Sequence, residues 1–171
     1  MPLAYIALGS NLDDPLAQLR QARLGLEKLG ELVGASSLYR TAPVGGPPGQ
    51  ADYLNAVVAL RPKAPDPETL LDELLGLEAG QGRTRAVRWA ARTLDLDLLT
   101  WDDLVLETPR LTLPHPRMLE RTFVLGPLCE LSPDWRHPLT HQGACETLAS
   151  LDSAGVTRTA LDWTVSSERL T

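Results

Sequence analysis

Thr93-Leu94-Asp95-Leu96-Asp97-Leu98-Leu99-Thr100-Trp101 decides how the chain is read. Leucine and aspartate alternate through its centre, and side chains two apart on a strand share a face. One face then carries Leu94, Leu96 and Leu98 and is buried, while the other carries Asp95 and Asp97. Working back from this strand, Pro65 to Pro67 opens a helix through Ala79, with Leu70, Leu71, Leu74, Leu75 and Leu77 at apolar positions and Gly80 and Gly82 beyond its end. Leu54 to Leu60 nearly lacks polar residues, apart from Asn55, and reads as a central strand. Leu32 to Tyr39 reads as another. Leu16, Leu19, Ala22, Leu26 and Leu29 recur with helical spacing. Asp13 or Asp14 caps that helix, Pro15 opens it and Gly30 stops it. Tyr5 to Leu8 is a first buried strand, turning at Gly9-Ser10-Asn11.

The order is strand, helix, strand, strand, helix, strand, the ferredoxin-like split βαβ pattern. The expected class is α+β: an antiparallel βαββαβ sheet with its helices on one face. Outward toward the C-terminus, Asp102-Asp103 turns into a short strand, Leu104 to Leu106, of an extra hairpin. Arg121 to Leu131 reads as a helix packed on the sheet, and Cys145 to Leu151 as a weaker one. The last residues are polar and poorly patterned. One domain over residues 1–160 with a polar tail over 161–171 is expected.

Composition narrows the function classes. The chain has 171 residues, 43% of them hydrophobic, and a formal net charge of −6. That charge disfavours nucleic acid and anionic membrane as partners, so a polyanion needs a local basic patch. No apolar stretch approaches the roughly 20 residues of a membrane span. Met1 to Leu8 lacks the features of a signal peptide, so a cytoplasmic protein is expected. Cys129 and Cys145 form no CxxC pair and suggest no zinc site; buried free thiols in a reducing compartment are expected. Of the 16 basic residues only Lys28 and Lys63 are lysines, so arginine placement carries more information than arginine abundance.

Asp95 and Asp97 on one face repel each other, and a cation between them turns that cost into a site. Oxygen ligands without His or Cys point to Mg²⁺ or Mn²⁺. By itself a D-x-D pattern fits a solvated acidic strand better than a metal site. Its surroundings change the balance, because Arg83, Arg85, Arg88 and Arg92 fall within ten residues that contain no acid. Guanidinium forks suit phosphate oxygens, and acids for metal beside arginines for phosphate is what phosphoryl transfer needs. An ion-pair network with acids such as Glu78 is the alternative use for these arginines. Neither a Walker A sequence nor a kinase glycine-rich loop is present, so arginine side chains must do most of any phosphate binding. Tyr53, Trp89 and Phe123, the single Phe, form an aromatic set with Asn55 that suits a flat heterocycle, although each ring alone fits core packing as well. His115, between Pro114 and Pro116, is a possible phosphate donor in a rigid loop. Ala42 to Gln50, with three Pro and three Gly, is a long exposed loop.

Taken together in order, Tyr5-Ile6-Ala7-Leu8-Gly9-Ser10-Asn11-Leu12, Ser37 to Thr41, Asp52 to Ala56, Arg88 to Leu99, Leu113-Pro114-His115 and Arg121-Thr122-Phe123 resemble the 6-hydroxymethyl-7,8-dihydropterin pyrophosphokinase family. The resemblance spans Tyr5 to about Leu131. It implies an enzyme that transfers diphosphate from ATP to the pterin hydroxymethyl group, releasing AMP; a monomer is expected. It implies two Mg²⁺ ions on Asp95 and Asp97. The pterin would lie between Phe123 and Tyr53, with Asn55 and the Thr41, Ala42, Pro43 and Val44 backbone at its edge and Trp89 closing the pocket. Arg83, Arg85, Arg88 and Arg92 would come from a catalytic loop. Arg110, Thr112, His115 and Arg121 would complete the ATP site, with Leu98 near the adenine. The chain departs from the family pattern at Ala90-Ala91, where Gly-Pro is usual, in the loop Gly45 to Gln50, and at Leu75 and Pro116.

Two other classes use parts of the same constellation. A non-catalytic ferredoxin-like module could bind a nucleotide without needing paired aspartates. A nucleotidyltransferase uses a carboxylate pair but attacks the α-phosphorus and releases pyrophosphate.

Overall fold

The structure is a computed structural model and describes residues 2–11, 14–42, 52–80 and 94–164. The strands are β1 (Ala4–Ser10), β2 (Gly30–Ala35), β3 (Tyr39–Thr41), β4 (Tyr53–Pro62), β5 (Asp95–Trp101), β6 (Leu106–Glu107), β7 (Thr112–Leu113) and β8 (Val156–Arg158). The helices are α1 (Pro15–Leu29), α2 (Pro67–Gly80), α3 (Thr122–Leu131) and α4 (Ala144–Ala149), with a 3₁₀ turn at Met118–Glu120 before α3.

The main sheet runs β5-β1-β4-β3-β8, with β2 also pairing β4, and its pairs are antiparallel. Each crossover helix returns the chain to a strand beyond its neighbour, which gives the split βαβ order expected from the pattern. Asp14 caps α1 by accepting from Ala17 N–H at 3.2 Å, and Pro15 takes the first turn. Asp66 caps α2 through Thr69 N–H at 2.8 Å. Gly30 ends α1 because of close approach: a Cβ there would stand 2.1 Å from the Arg61 carbonyl oxygen.

Both faces of the sheet are covered. Ile6, Leu8, Ala56, Val58, Leu60, Leu96 and Leu98 pack against Leu19, Ala22 and Leu26 of α1 and Leu70 and Leu74 of α2. Ala7, Val57 and Leu99 pack against Val124, Leu125 and Leu128 of α3 and Ala144 of α4. The two crossover helices share one face, as expected, and the C-terminal helices occupy the other. Double coverage explains why β4 lacks the polar alternation of a half-exposed strand.

Four expectations need correction. Leu32 to Tyr39 is two strands, because Ser36 interrupts the ladder: its Oγ accepts from Val57 N–H at 3.0 Å and donates to the Ser37 carbonyl at 2.8 Å. The hairpin strand begins at Leu106 and pairs with Thr112–Leu113. Cys129 and Cys145 are not free thiols but a disulfide joining α3 to α4. Near the C-terminus, β8 extends the sheet, and Trp163 is 3% exposed in the α1/α2 core, with its indole N–H donating to the Ser36 carbonyl at 2.9 Å. Isolated apolar residues among polar ones gave no period from which to read either contact.

Candidate active site

Register across the sheet assembles the site. Asp95 pairs with Gly9, Gly9 with Asn55, and Asn55 with Tyr39. In the next row Asp97 pairs with Ala7 and Ala7 with Val57. Because strand side chains alternate, Asp95, Asp97, Gly9, Ala7, Asn55, Tyr53 and Thr41 face the α3 side. The two residues of β1 in the middle are the smallest available, so the sheet surface dips between the aspartates and Asn55. The dip is a cavity of about 330 Å³, lined by Ala7, Gly9, Thr41, Ala42, Tyr53, Asn55, Asp95, Asp97, Arg121 and Phe123. That volume matches a small-molecule site.

Asn55 is 8% exposed and its amide orientation is set: Thr41 Oγ1 donates to Asn55 Oδ1 at 2.7 Å. The amide nitrogen then lies over Gly9, where an added Cβ would meet Nδ2 at 2.7 Å. Phe123 rises from the first turn of α3 and Tyr53 from the start of β4, so two rings border the cavity. Arg121, just before α3, stands 3.6 Å from Asp97 Oδ2 and 5.7 Å from the Phe123 ring centroid.

A second cavity of about 280 Å³ adjoins the first and shares Asp97 with it. Arg110, Thr112, His115, Pro116 and Leu98 line it with Leu71. Leu98 is 2% exposed and its side chain belongs to the α1/α2 core, so little of it is available at the cavity. Arg110 is ion-paired with Asp72 of α2, and Thr108 Oγ1 donates to Glu68 at 2.8 Å, so the β6–β7 hairpin is tied to α2. His115 N–H donates to the Leu99 carbonyl at 2.8 Å, which fixes its loop on the open edge of β5. Its Nδ1 accepts from Arg117 N–H at 3.2 Å, so the neutral ring carries its proton on Nε2. Burial pushes the His115 pKa below the usual value; Asp97 opposes that, while Arg121 and Arg117 add to it.

Thus Asp95, Asp97, Thr41, Ala42, Tyr53, Asn55, Arg121 and Phe123 come together around one cavity, and Arg110, Thr112 and His115 around the other. Pro43, Val44, the Gly45 to Gln50 loop, Arg83, Arg85, Arg88, Trp89, Ala90, Ala91 and Arg92 lie outside the described residues. Leu75 is exposed on α2. Sequence reading missed Ala7 and Gly9 as the floor and Thr41 as the group that orients Asn55. The signal was present: small residues two apart at Ala7 and Gly9, flanked by Ile6 and Leu8, mark a surface that something else fills.

The chemistry of the donor set fits a magnesium site. Two half-exposed carboxylates share one face, and among the described residues no group of three His, Cys, Asp or Glu side chains could enclose a metal by itself. Mg²⁺ binds in that way, through one or two carboxylates with water and substrate oxygens completing its shell. Among the described residues, no helix is long and apolar enough to cross a membrane.

Comparison with known proteins identifies the family and the fold. The family model described as 7,8-dihydro-6-hydroxymethylpterin-pyrophosphokinase matches residues 5–133. The 2-amino-4-hydroxy-6-hydroxymethyldihydropteridine pyrophosphokinase of Haemophilus influenzae is 46% identical over 136 residues, covering 78% of this chain and 84% of that protein. The Bacillus subtilis enzyme of the same name is 45% identical over 131 residues, covering 75% and 77%. Among solved structures, an HPPK-DHPS in complex with substrates superposes with a TM-score of 0.70 at 13% identity, covering 88% of this chain and 45% of that one. A Plasmodium falciparum HPPK-DHPS gives 0.67 at 14%, covering 88% and 43%. At such identities these structures speak for the fold alone, and this chain spans less than half of their length.

Proposed function

The chain belongs to the 7,8-dihydro-6-hydroxymethylpterin-pyrophosphokinase family, and from this we propose that it transfers diphosphate from ATP to the hydroxyl of 6-hydroxymethyl-7,8-dihydropterin, a step of folate biosynthesis. The observation that carries the reading is Asp97, which borders both cavities and so stands where two bound substrates would meet.

The first cavity takes the pterin. Phe123 and Tyr53 bracket a flat ring, and Asn55, held by Thr41, offers donors to its edge. The Ala42, Pro43 and Val44 backbone and Trp89 complete that pocket. The second cavity takes ATP: His115 presents Nε2–H to a phosphate oxygen, and Arg110, Thr112 and the edge of β5 near Leu98 hold the nucleoside. Arg83, Arg85, Arg88 and Arg92 supply further guanidinium groups to the phosphates.

Asp95 and Asp97 would hold the two Mg²⁺ ions, which when bound would lower the hydroxyl pKa and neutralise phosphate charge. The pterin hydroxyl oxygen attacks the β-phosphorus in line and gives its proton to a neighbouring Asp carboxylate or to water; a new P–O bond forms there, and the bridge to the α-phosphate breaks with its electron pair leaving on AMP. Holding both reactants against one pair of carboxylates makes the step effectively intramolecular. Arg121, already within reach of Asp97, offsets charge on the groups in transit.

Residues 1–160 form the single catalytic domain in this reading, acting as a cytoplasmic monomer, and Trp163 ties the segment beyond it to the core. The test is nucleotide analysis after incubation with ATP, Mg²⁺ and the hydroxymethyl-dihydropterin. AMP release supports the reading. Pyrophosphate release would instead make the protein a nucleotidyltransferase, and unchanged ATP with folded protein would leave a binding module.

A further inference from the structure

We propose that Glu78 is a positioning residue: it fixes the start of β5 so that Asp95 and Asp97 keep the direction the reaction requires. The inference rests on reading that pair as the metal-binding centre.

Glu78 lies in the last turn of α2 and is 3% exposed. Helix physics disfavours an acid there, because the C-terminal end of the dipole is negative, and that turn holds no basic residue. Burial adds a desolvation cost. A carboxylate in such a place is kept there by what it contacts.

Its Oε2 accepts the backbone N–H of Leu96 at 2.7 Å. Leu96 is the residue between the two aspartates. Among the described residues, β5 is the last strand of the sheet and pairs only with β1, so backbone groups on its outer side meet no described strand. Two of them are satisfied by other means: Leu96 N–H by Glu78, and the Leu99 carbonyl by His115 N–H at 2.8 Å. These contacts bracket Asp97, and the one at Leu96 lies one residue from Asp95, the first residue of the strand.

The inner side cannot do this work through packing. The β1 neighbours of Asp95 and Asp97 are Gly9 and Ala7, which leave the cavity open and offer the carboxylates little side-chain packing. The β5 backbone sets the direction from which both carboxylates start, and Arg121 meets Asp97 from the cavity side at 3.6 Å. Without an acceptor at position 78, Leu96 N–H is buried and unpaired beside them, and the strand start loosens.

Two variants separate this role from bulk or charge. Glu78→Gln keeps an oxygen acceptor and drops the charge, whereas Glu78→Leu keeps the bulk and drops the acceptor. In the full-length protein, Glu78→Leu should speed exchange of the Leu96 amide and weaken Mn²⁺ binding, read by electron paramagnetic resonance with a non-hydrolysable ATP analogue, by about tenfold to a hundredfold. The Mg²⁺ concentration for half-maximal turnover should rise with it, while KM for the pterin stays put. Glu78→Gln should restore all of these to near wild type. A Glu78→Gln protein with wild-type amide exchange but metal binding as weak as that of Glu78→Leu would overturn the proposal, since charge would then be what matters. So would a folded Glu78→Leu protein with unaltered Leu96 exchange and Mn²⁺ binding. If Glu78→Leu does not fold, Glu78→Gln with a fast-exchanging Leu96 amide contradicts the proposal and a protected one supports it. Absence of AMP release by the wild type would sink the functional reading by itself, and the exchange and Mn²⁺ measurements would still decide the role of Glu78.

Discussion

Gly9 and Asn55 face each other across the β1–β4 ladder so closely that a single Cβ on Gly9 would stand 2.7 Å from Asn55 Nδ2. The contact is tolerable only because position 9 has no side chain. It leaves room for the Asn55 amide, which Thr41 Oγ1 holds from the other side at 2.7 Å. Gly9→Ala should push the amide off this geometry and break that bond. Loss of one oriented hydrogen-bonding group costs about 1–3 kcal/mol, or roughly tenfold to a hundredfold in affinity. The pterin dissociation constant, measured by fluorescence titration, should rise by that amount while ATP affinity is retained. Equal pterin affinity in mutant and wild type would contradict the role given to the Gly9–Asn55 pair.

Much of this site was legible before the structure. The alternation around Asp95 and Asp97 fixed their common face, because a strand has only two faces and leucine claimed the other. Tyr53, Asn55 and Phe123 were legible as a set through their chemistry. Gly9 was not, because its role is an absence, measured against a neighbour on another strand. Glu78 was considered only as a partner for arginines; its bond to Leu96 joins a helix end to a strand edge 18 residues away, and no local period reports such a contact. Ser36, Trp163 and the Cys129–Cys145 bridge escaped for the same reason, since each depends on partners distant in sequence.

Trp163 is the anchor of the C-terminal segment. It is buried, its indole N–H donates to the Ser36 carbonyl at 2.9 Å, and the Arg23 guanidinium lies 4.8 Å from its ring centroid. Trp163→Ala should cost about 3–5 kcal/mol in urea unfolding, as for other buried aromatic truncations. A loss below about 1 kcal/mol would mean that the segment contributes little to the fold.

The disulfide should act on stability and not on the reaction. Cys129 and Cys145 are 16 residues apart and join α3 to α4, while Phe123 lines the pocket from the opposite end of α3. Closing a loop of this length stabilises by about 3 kcal/mol in the chain-entropy model. Cys129→Ser/Cys145→Ser should therefore lower the melting temperature measurably and leave turnover at 25 °C within about twofold of wild type. A large fall in turnover with little change in melting would show that α4 governs the pocket.

Asp97 carries the central claim, because it alone among the two aspartates borders both cavities. The most direct measurement is the rate of AMP formation from ATP, Mg²⁺ and 6-hydroxymethyl-7,8-dihydropterin by the wild type and by Asp97→Ala, with circular dichroism as the check on folding. The expected result is pterin-dependent AMP release by the wild type and a rate lower by about two to three orders of magnitude in a folded mutant. A folded Asp97→Ala protein that releases AMP at the wild-type rate would contradict the assignment of this carboxylate to the reacting centre.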